Sequence, residues 1–210
     1  MSRMFKLSDY WYGEEPEIFK KKNINIKPGL TVLVGCNGAG KTTLLSQMED
    51  QLKKKGIPVL LHNNVHSGAK ELKNKAGFRG NYELMAKLMS SSEGENITTV
   101  LGEFSNRMGE MSRANSGAKE LWFLIDGIDS GLSIDNIIEV KEKLIKFVIK
   151  TESDKDIYFV LSANSYELAR GEECFDVANG EYIRFSSYED YRNFILKSFE
   201  EKCGRRIKAV

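Results

Sequence analysis

Gly35-Cys36-Asn37-Gly38-Ala39-Gly40-Lys41-Thr42 is the stretch on which the reading of this chain turns. It fills every fixed position of G-x-x-x-x-G-K-[ST], a loop whose successive backbone N–H groups cradle phosphate oxygens. Before it stands an apolar run, Thr31-Val32-Leu33-Val34. After it, Thr42, Thr43, Leu44, Leu45, Met48 and Leu52 recur at helical spacing. A strand, a glycine turn and a helix start are the context the pattern requires, because a helix N-terminus aims unpaired N–H groups and a positive dipole end at an anion. The spacing predicts nucleotide phosphates held by Asn37, Gly38, Ala39, Gly40, Lys41, Thr42 and Thr43. Lys41 would pair with the β- and γ-phosphates, and the Thr42 hydroxyl would join a Mg²⁺ shell.

Working outward, Met4–Leu7 and Ile18–Ile26 read as strands, and Pro28-Gly29 as the turn into the strand before the loop. Gly56–Leu61 restarts a strand. Residues 62–80 lack periodicity and read as a loop, Asn81–Ser90 as a short helix, and Ile97 to Met111 as one face of a longer one. Leu121–Ile125 and Ile157–Leu161 are continuous apolar runs, as buried parallel strands require. Ile134 to Val148 carries helical spacing between them. Cys174–Ala178 and Glu181–Phe185 flank Asn179-Gly180, a hairpin signal. Ser187-Tyr188-Glu189-Asp190 has the form of a capping box, with Asp in the final place, and opens a last helix. Strands alternating with helices predict an α/β fold of three layers, a P-loop NTPase with a mainly parallel central sheet and an antiparallel β edge. The whole chain, 1–210, reads as a single domain.

Leu121-Trp122-Phe123-Leu124-Ile125-Asp126 ends a buried strand on a carboxylate. Such an Asp sits at the C-terminal edge of the sheet beside the phosphate loop, where it holds the metal through water. The chain continues Gly127-Ile128-Asp129-Ser130-Gly131-Leu132-Ser133.

At this point a resemblance becomes specific. Gly35–Leu45 resembles the phosphate loop of the ATP-binding-cassette (ABC) superfamily, and Asp126–Ser133 resembles the acidic segment of its SMC-like branch, with Asp126, Ile128, Asp129 and Leu132 in agreement. The resemblance implies ATP and Mg²⁺ as cofactors and a homodimer closed head to tail around ATP. Its signature loop is matched in part by Ser91-Ser92-Glu93-Gly94-Glu95, where Ser92 and Gly94 would touch the γ-phosphate held by a second subunit. An ordinary N-terminal helix cap is the other reading of that stretch. Two departures bear on catalysis. Gly127 stands where the family places its catalytic Glu, and Phe159–Asn164 runs through the switch position without the usual His. Asp129, or Glu95, is then the nearest substitute base, and Asp126, Asp129 and Lys41 form the candidate catalytic set. Ser162 or Asn164 could hydrogen-bond a γ-phosphate, although a helix cap at Asn164 is equally consistent with the sequence. Tyr10, Trp11 and Tyr12 could stack on a base. His62, Asn63, Asn64 and His66 lie near the family's metal-contacting Gln.

The remaining limits come from composition. A net charge of +1 makes no electrostatic case for nucleic acid or a membrane surface, although Lys202, Arg205, Arg206 and Lys208 could meet DNA phosphates. Three cysteines without paired spacing fit a reducing cytoplasm and no metal cluster. No apolar run reaches membrane-span length. The roughly thirty residues between Leu61 and Ser92 leave no room for a coiled coil or for a transporter-docking subdomain. The resemblance thus points to a small stand-alone head, like those of phages and mobile elements, working on DNA or a protein partner. A non-hydrolysing ATP-sensing module is the alternative. A small-molecule kinase would need an Arg-rich lid, and residues 62–95 carry Arg79 alone.

Overall fold

The computed structural model of the chain describes residues 2–8, 18–63, 93–129, 132–152 and 154–208; for 93–101, 103 and 205–208 it describes the main chain. Tyr10, Trp11, Tyr12, Asn64, His66, Ser92 and the helix expected at Asn81–Ser90 lie outside the described residues.

Six strands form the central sheet. They are β3 (Gly29–Val34), β4 (Val59–Asn63), β5 (Glu120–Asp126), β6 (Asp156–Ser162), β7 (Cys174–Asp176) and β8 (Glu181–Ile183), in the order β4-β5-β6-β3-β7-β8. All neighbours are parallel except β7 and β8, which make the antiparallel edge. The α/β architecture with a mostly parallel sheet is therefore as the sequence predicts, and it is compatible with a P-loop NTPase fold. β1 (Arg3–Lys6) and β2 (Asn23–Ile26) pair with each other in a separate two-stranded sheet. The strand expected from Ile18 begins only at Asn23.

Residue alternation explains why both faces are covered. Along β5, Leu121, Phe123 and Ile125 point to one side and Trp122 and Leu124 to the other, all fully buried. The first side packs Phe104 and Met108 of α2 (Glu93–Ala114), Ile137 and Ile145 of α3 (Ile134–Glu139, Val140–Ile145 and Lys146–Thr151 in succession), Leu168 of α4 (Tyr166–Ala169) and Tyr191 of α5 (Tyr188–Lys208). The second side packs Leu44, Leu45, Met48 and Leu52 of α1 (Lys41–Lys54), together with Phe5, Ile24 and Ile26 of the small sheet. Three layers follow. Among the described residues no helix is long and apolar enough to cross a membrane.

Several local expectations change. α3 runs Ile134–Glu139, passes through a π-helical segment Val140–Ile145, and continues as Lys146–Thr151. The extra residue per turn brings Lys141 inward, where its Nζ meets Glu172 at 3.0 Å and the Arg170 carbonyl at 2.6 Å. The edge hairpin turns through four residues, Val177–Gly180, since Asp176 pairs with Glu181. Asp176 accepts from the N–H groups of Ala178 and Asn179, and this Asx-type turn replaces the two-residue Asn-Gly form. Strand β4 extends to Asn63, so His62 is a buried strand residue beside Phe104 rather than a loop residue. At α5, Ser187 Oγ accepts from Asp190 N–H as a capping box requires, but Asp190 reaches back to Ser186 N–H.

Candidate functional site

The C-terminal ends of β3, β4, β5 and β6 lie side by side, and each delivers one part of the site. β3 runs into the glycine loop, and α1 opens at Lys41. Lys41 is almost fully buried, and its Nζ donates to the carbonyls of Gly35 (2.6 Å) and Cys36 (3.3 Å). Burial lowers its pKa below the ordinary lysine value, while neighbouring Cys36, Asp129 and Asp126 pull it back up. The ammonium is thus bent onto its own loop.

β5 supplies Asp126, which is buried and accepts from three side chains. Thr42 Oγ1 donates to its Oδ2 at 2.8 Å, Asn63 Nδ2 approaches the same oxygen at 3.4 Å, and Ser162 Oγ donates to Oδ1 at 2.5 Å. Ser162 in turn accepts from Gly127 N–H at 2.7 Å, so its own proton must point at Asp126. The register makes this inevitable. Asn63 lies opposite Asp126 across β4 and β5, and Ile125 lies opposite Leu161, which leaves Ser162 beside the carboxylate. Gly127 has φ +68, a left-handed conformation that a side chain at this position would strain.

Asp129 faces the segment after β6. Its Oδ2 accepts from the N–H groups of Asn164 (2.6 Å) and Ser165 (2.5 Å), and its Oδ1 is buried with no hydrogen-bond partner among the described residues. Ser165, not Asn164, caps α4, through a bond from Glu167 N–H to its Oγ. Asn164 instead lends its carbonyl to Tyr191 Oη at 2.8 Å, and it lines the central cavity.

That cavity has a volume of about 360 Å³ and is bounded by Asn37, Gly38, Lys41, Thr42, Asp126 and Ser162, among others. The structure therefore brings together Asn37, Gly38, Gly40, Lys41, Thr42, Thr43, Asp126 and Asn164 around one space. Ala39 is buried within the loop, and Asp129, whose charge acts on Lys41, is not among the residues that line the cavity. α2 begins at Glu93, three residues before the start expected near Asn96, so Gly94 falls in its first turn. Ser162, named above for a γ-phosphate contact, lines the cavity and hydrogen-bonds Asp126. Lys202, named above for DNA phosphates, donates from its Nζ to the Asn37 carbonyl at 2.6 Å. Ser198, whose Oγ accepts from Cys36 N–H at 3.2 Å, was missed altogether. The helical spacing of Tyr191, Ile195, Ser198 and Lys202 on one face is the signal that could have found it.

No family model matches the chain. Over 57 residues it is 39% identical to a putative ABC transporter ATP-binding protein of Pyrococcus abyssi (strain GE5 / Orsay). The matched stretch is 27% of this chain and 22% of that relative's length.

Proposed function

We propose that the chain is a Mg·ATP-binding ATPase head of ABC, SMC-like type. The observation that carries this reading is the meeting of Lys41 and the glycine loop with the Thr42–Asp126 pair around one cavity. The partial likeness to an ABC ATP-binding protein supports it. The donor set fits Mg²⁺: a hydroxyl and a carboxylate 2.8 Å apart are hard oxygen ligands at the right spacing to share one small cation. Among the described residues no group of three His, Cys, Asp or Glu gathers to form an all-protein cage. The ion would therefore be completed by phosphate oxygens and water, and would supply charge neutralisation for phosphoryl transfer.

Lys41 grips the terminal phosphates, the loop from Asn37 to Thr43 presents N–H groups apart from that of Ala39, which donates to the Cys36 carbonyl at 3.1 Å, and Asp126 is aimed by Ser162 and Asn63. Ser92 and Gly94 act on the nucleotide of a second copy, so that ATP joins two chains head to tail. Hydrolysis is slow. Gly127 brings no carboxylate, and Asp129, the candidate base, already spends one oxygen on the backbone of Asn164 and Ser165. Glu95 is the remaining substitute. DNA or a protein partner receives the resulting motion. The same engagement of Asp129 supports a second reading, a non-hydrolysing ATP sensor that binds a protein.

The test is nucleotide titration with Lys41→Ala beside the unaltered chain, followed by sizing with and without Mg·ATP. Lys41→Ala should lose ATP binding by at least about a hundredfold. Unaltered affinity in that variant overturns the reading. A chain that binds ATP but stays monomeric removes the dimer, and turnover in an Asp129→Asn variant equal to that of the parent removes Asp129 as base.

A further inference from the structure

The C-terminal helix α5 touches the glycine loop at Cys36 and Asn37. Tyr191, Ile195, Ser198 and Lys202 recur at intervals of four, three and four residues, so they share one face of α5. Tyr191 holds the Asn164 carbonyl, Ser198 the Cys36 N–H, and Lys202 the Asn37 carbonyl. Lys202 is the sequel to a close approach. A Cβ built on Gly38 would lie 2.7 Å from its Nζ, so the ammonium rests directly over the loop's tip, where Gly38 (φ +76) leaves room for it. Lys202 has no carboxylate in ion-pair contact among the described residues, although its neighbour Glu201 pairs with Lys20. An ammonium has three donors, and the Asn37 carbonyl takes one. A cation with donors to spare, held against the glycine loop without a counter-ion among the described residues, would be matched by an anion on that loop.

We infer that Lys202 is a second phosphate-binding cation, delivered by the chain's own C-terminal helix, that selects triphosphate over diphosphate nucleotides. Lys41 approaches the loop from inside, under the β- and γ-phosphates. Lys202 approaches over Asn37 and Gly38, at the outer end of the cradle, where the terminal phosphate would lie. The assignment rests on the nucleotide-binding reading above and goes beyond it, since α5 then senses which nucleotide is present.

The experiment is equilibrium titration of the full chain with ATP and with ADP, each with Mg²⁺. It compares the parent with Lys202→Met, Lys202→Arg and Lys41→Ala, and records the unfolding midpoint of each nucleotide-free protein. Loss of one charge-assisted contact predicts ATP affinity about tenfold weaker in Lys202→Met with ADP affinity changed less than about twofold. Lys202→Arg should retain most of the preference, and the nucleotide-free midpoint should stay close to the parent's. Equal weakening of ATP and ADP, or no weakening of either, overturns the assignment and leaves the nucleotide-binding reading standing. A parent that binds neither nucleotide overturns both.

Discussion

At the scale of single residues, the informative feature is how Asp126 is held. Ser162 fixes the orientation of the Asp126 carboxylate while also satisfying Gly127 N–H, and on the proposed reading that orientation would serve a metal and its water. Ser162→Ala would strip a buried carboxylate oxygen of its donor and a backbone N–H of its acceptor. The expected loss is about 2 kcal/mol of stability by urea unfolding, with the Mg²⁺ concentration for half-maximal ATP binding raised several-fold. Lys41, Thr42 and Asp126 were legible because the phosphate-loop pattern and the end of an apolar run are local signals. Ser162 and Asn63 stand among the candidates, but their hydrogen bonds to Asp126 are not legible, since these depend on parallel register between residues 36 and 63 positions apart. Gly127 was legible as a missing glutamate. Its φ of +68 adds that restoring Glu there would strain the turn.

Among the elements, α3 and the turn after α4 are joined by charge. Lys141 and Lys146 each lie 3.0 Å from Glu172, and the π-helical segment is what lets Lys141 face inward. Burial by itself would push the Glu172 carboxyl up; the hydrogen bonds and charges of the two lysines outweigh it and hold the group below its ordinary value of 4.5. A carboxyl depressed by folding contributes stability that is present above 4.5 and is lost as pH falls through the lower, folded value. The melting temperature of Glu172→Gln should therefore lie below the parent's at neutral pH, and the two should converge under acid. A gap that stays constant with pH would remove the ion pair as its cause. Helical spacing announced α3 but not its π segment, because a one-residue insertion preserves the apolar face over each short stretch.

Over the whole molecule, the alternation inside β5 and β6 decides the layering, and it is written in the sequence as apolar runs with no polar face. Strand order is not, since the insertion of β5 and β6 between β3 and β4 depends on contacts distant along the chain. Nor was the detachment of β1 and β2 from the central sheet. That small sheet is bound by side chains: Phe5 meets Trp122 edge-on at 5.3 Å, and Arg3 pairs with Glu120. Phe5→Ala should reduce stability by about 3 kcal/mol, read by denaturant unfolding, because the cavity opens beneath an aromatic contact. Trp122 also lies flat on Tyr158, 3.8 Å between ring centres and 6° from coplanar. In a Trp11→Phe background its indole becomes the sole long-wavelength emitter, so colour and quantum yield turn into a direct optical gauge of whether the two sheets remain joined.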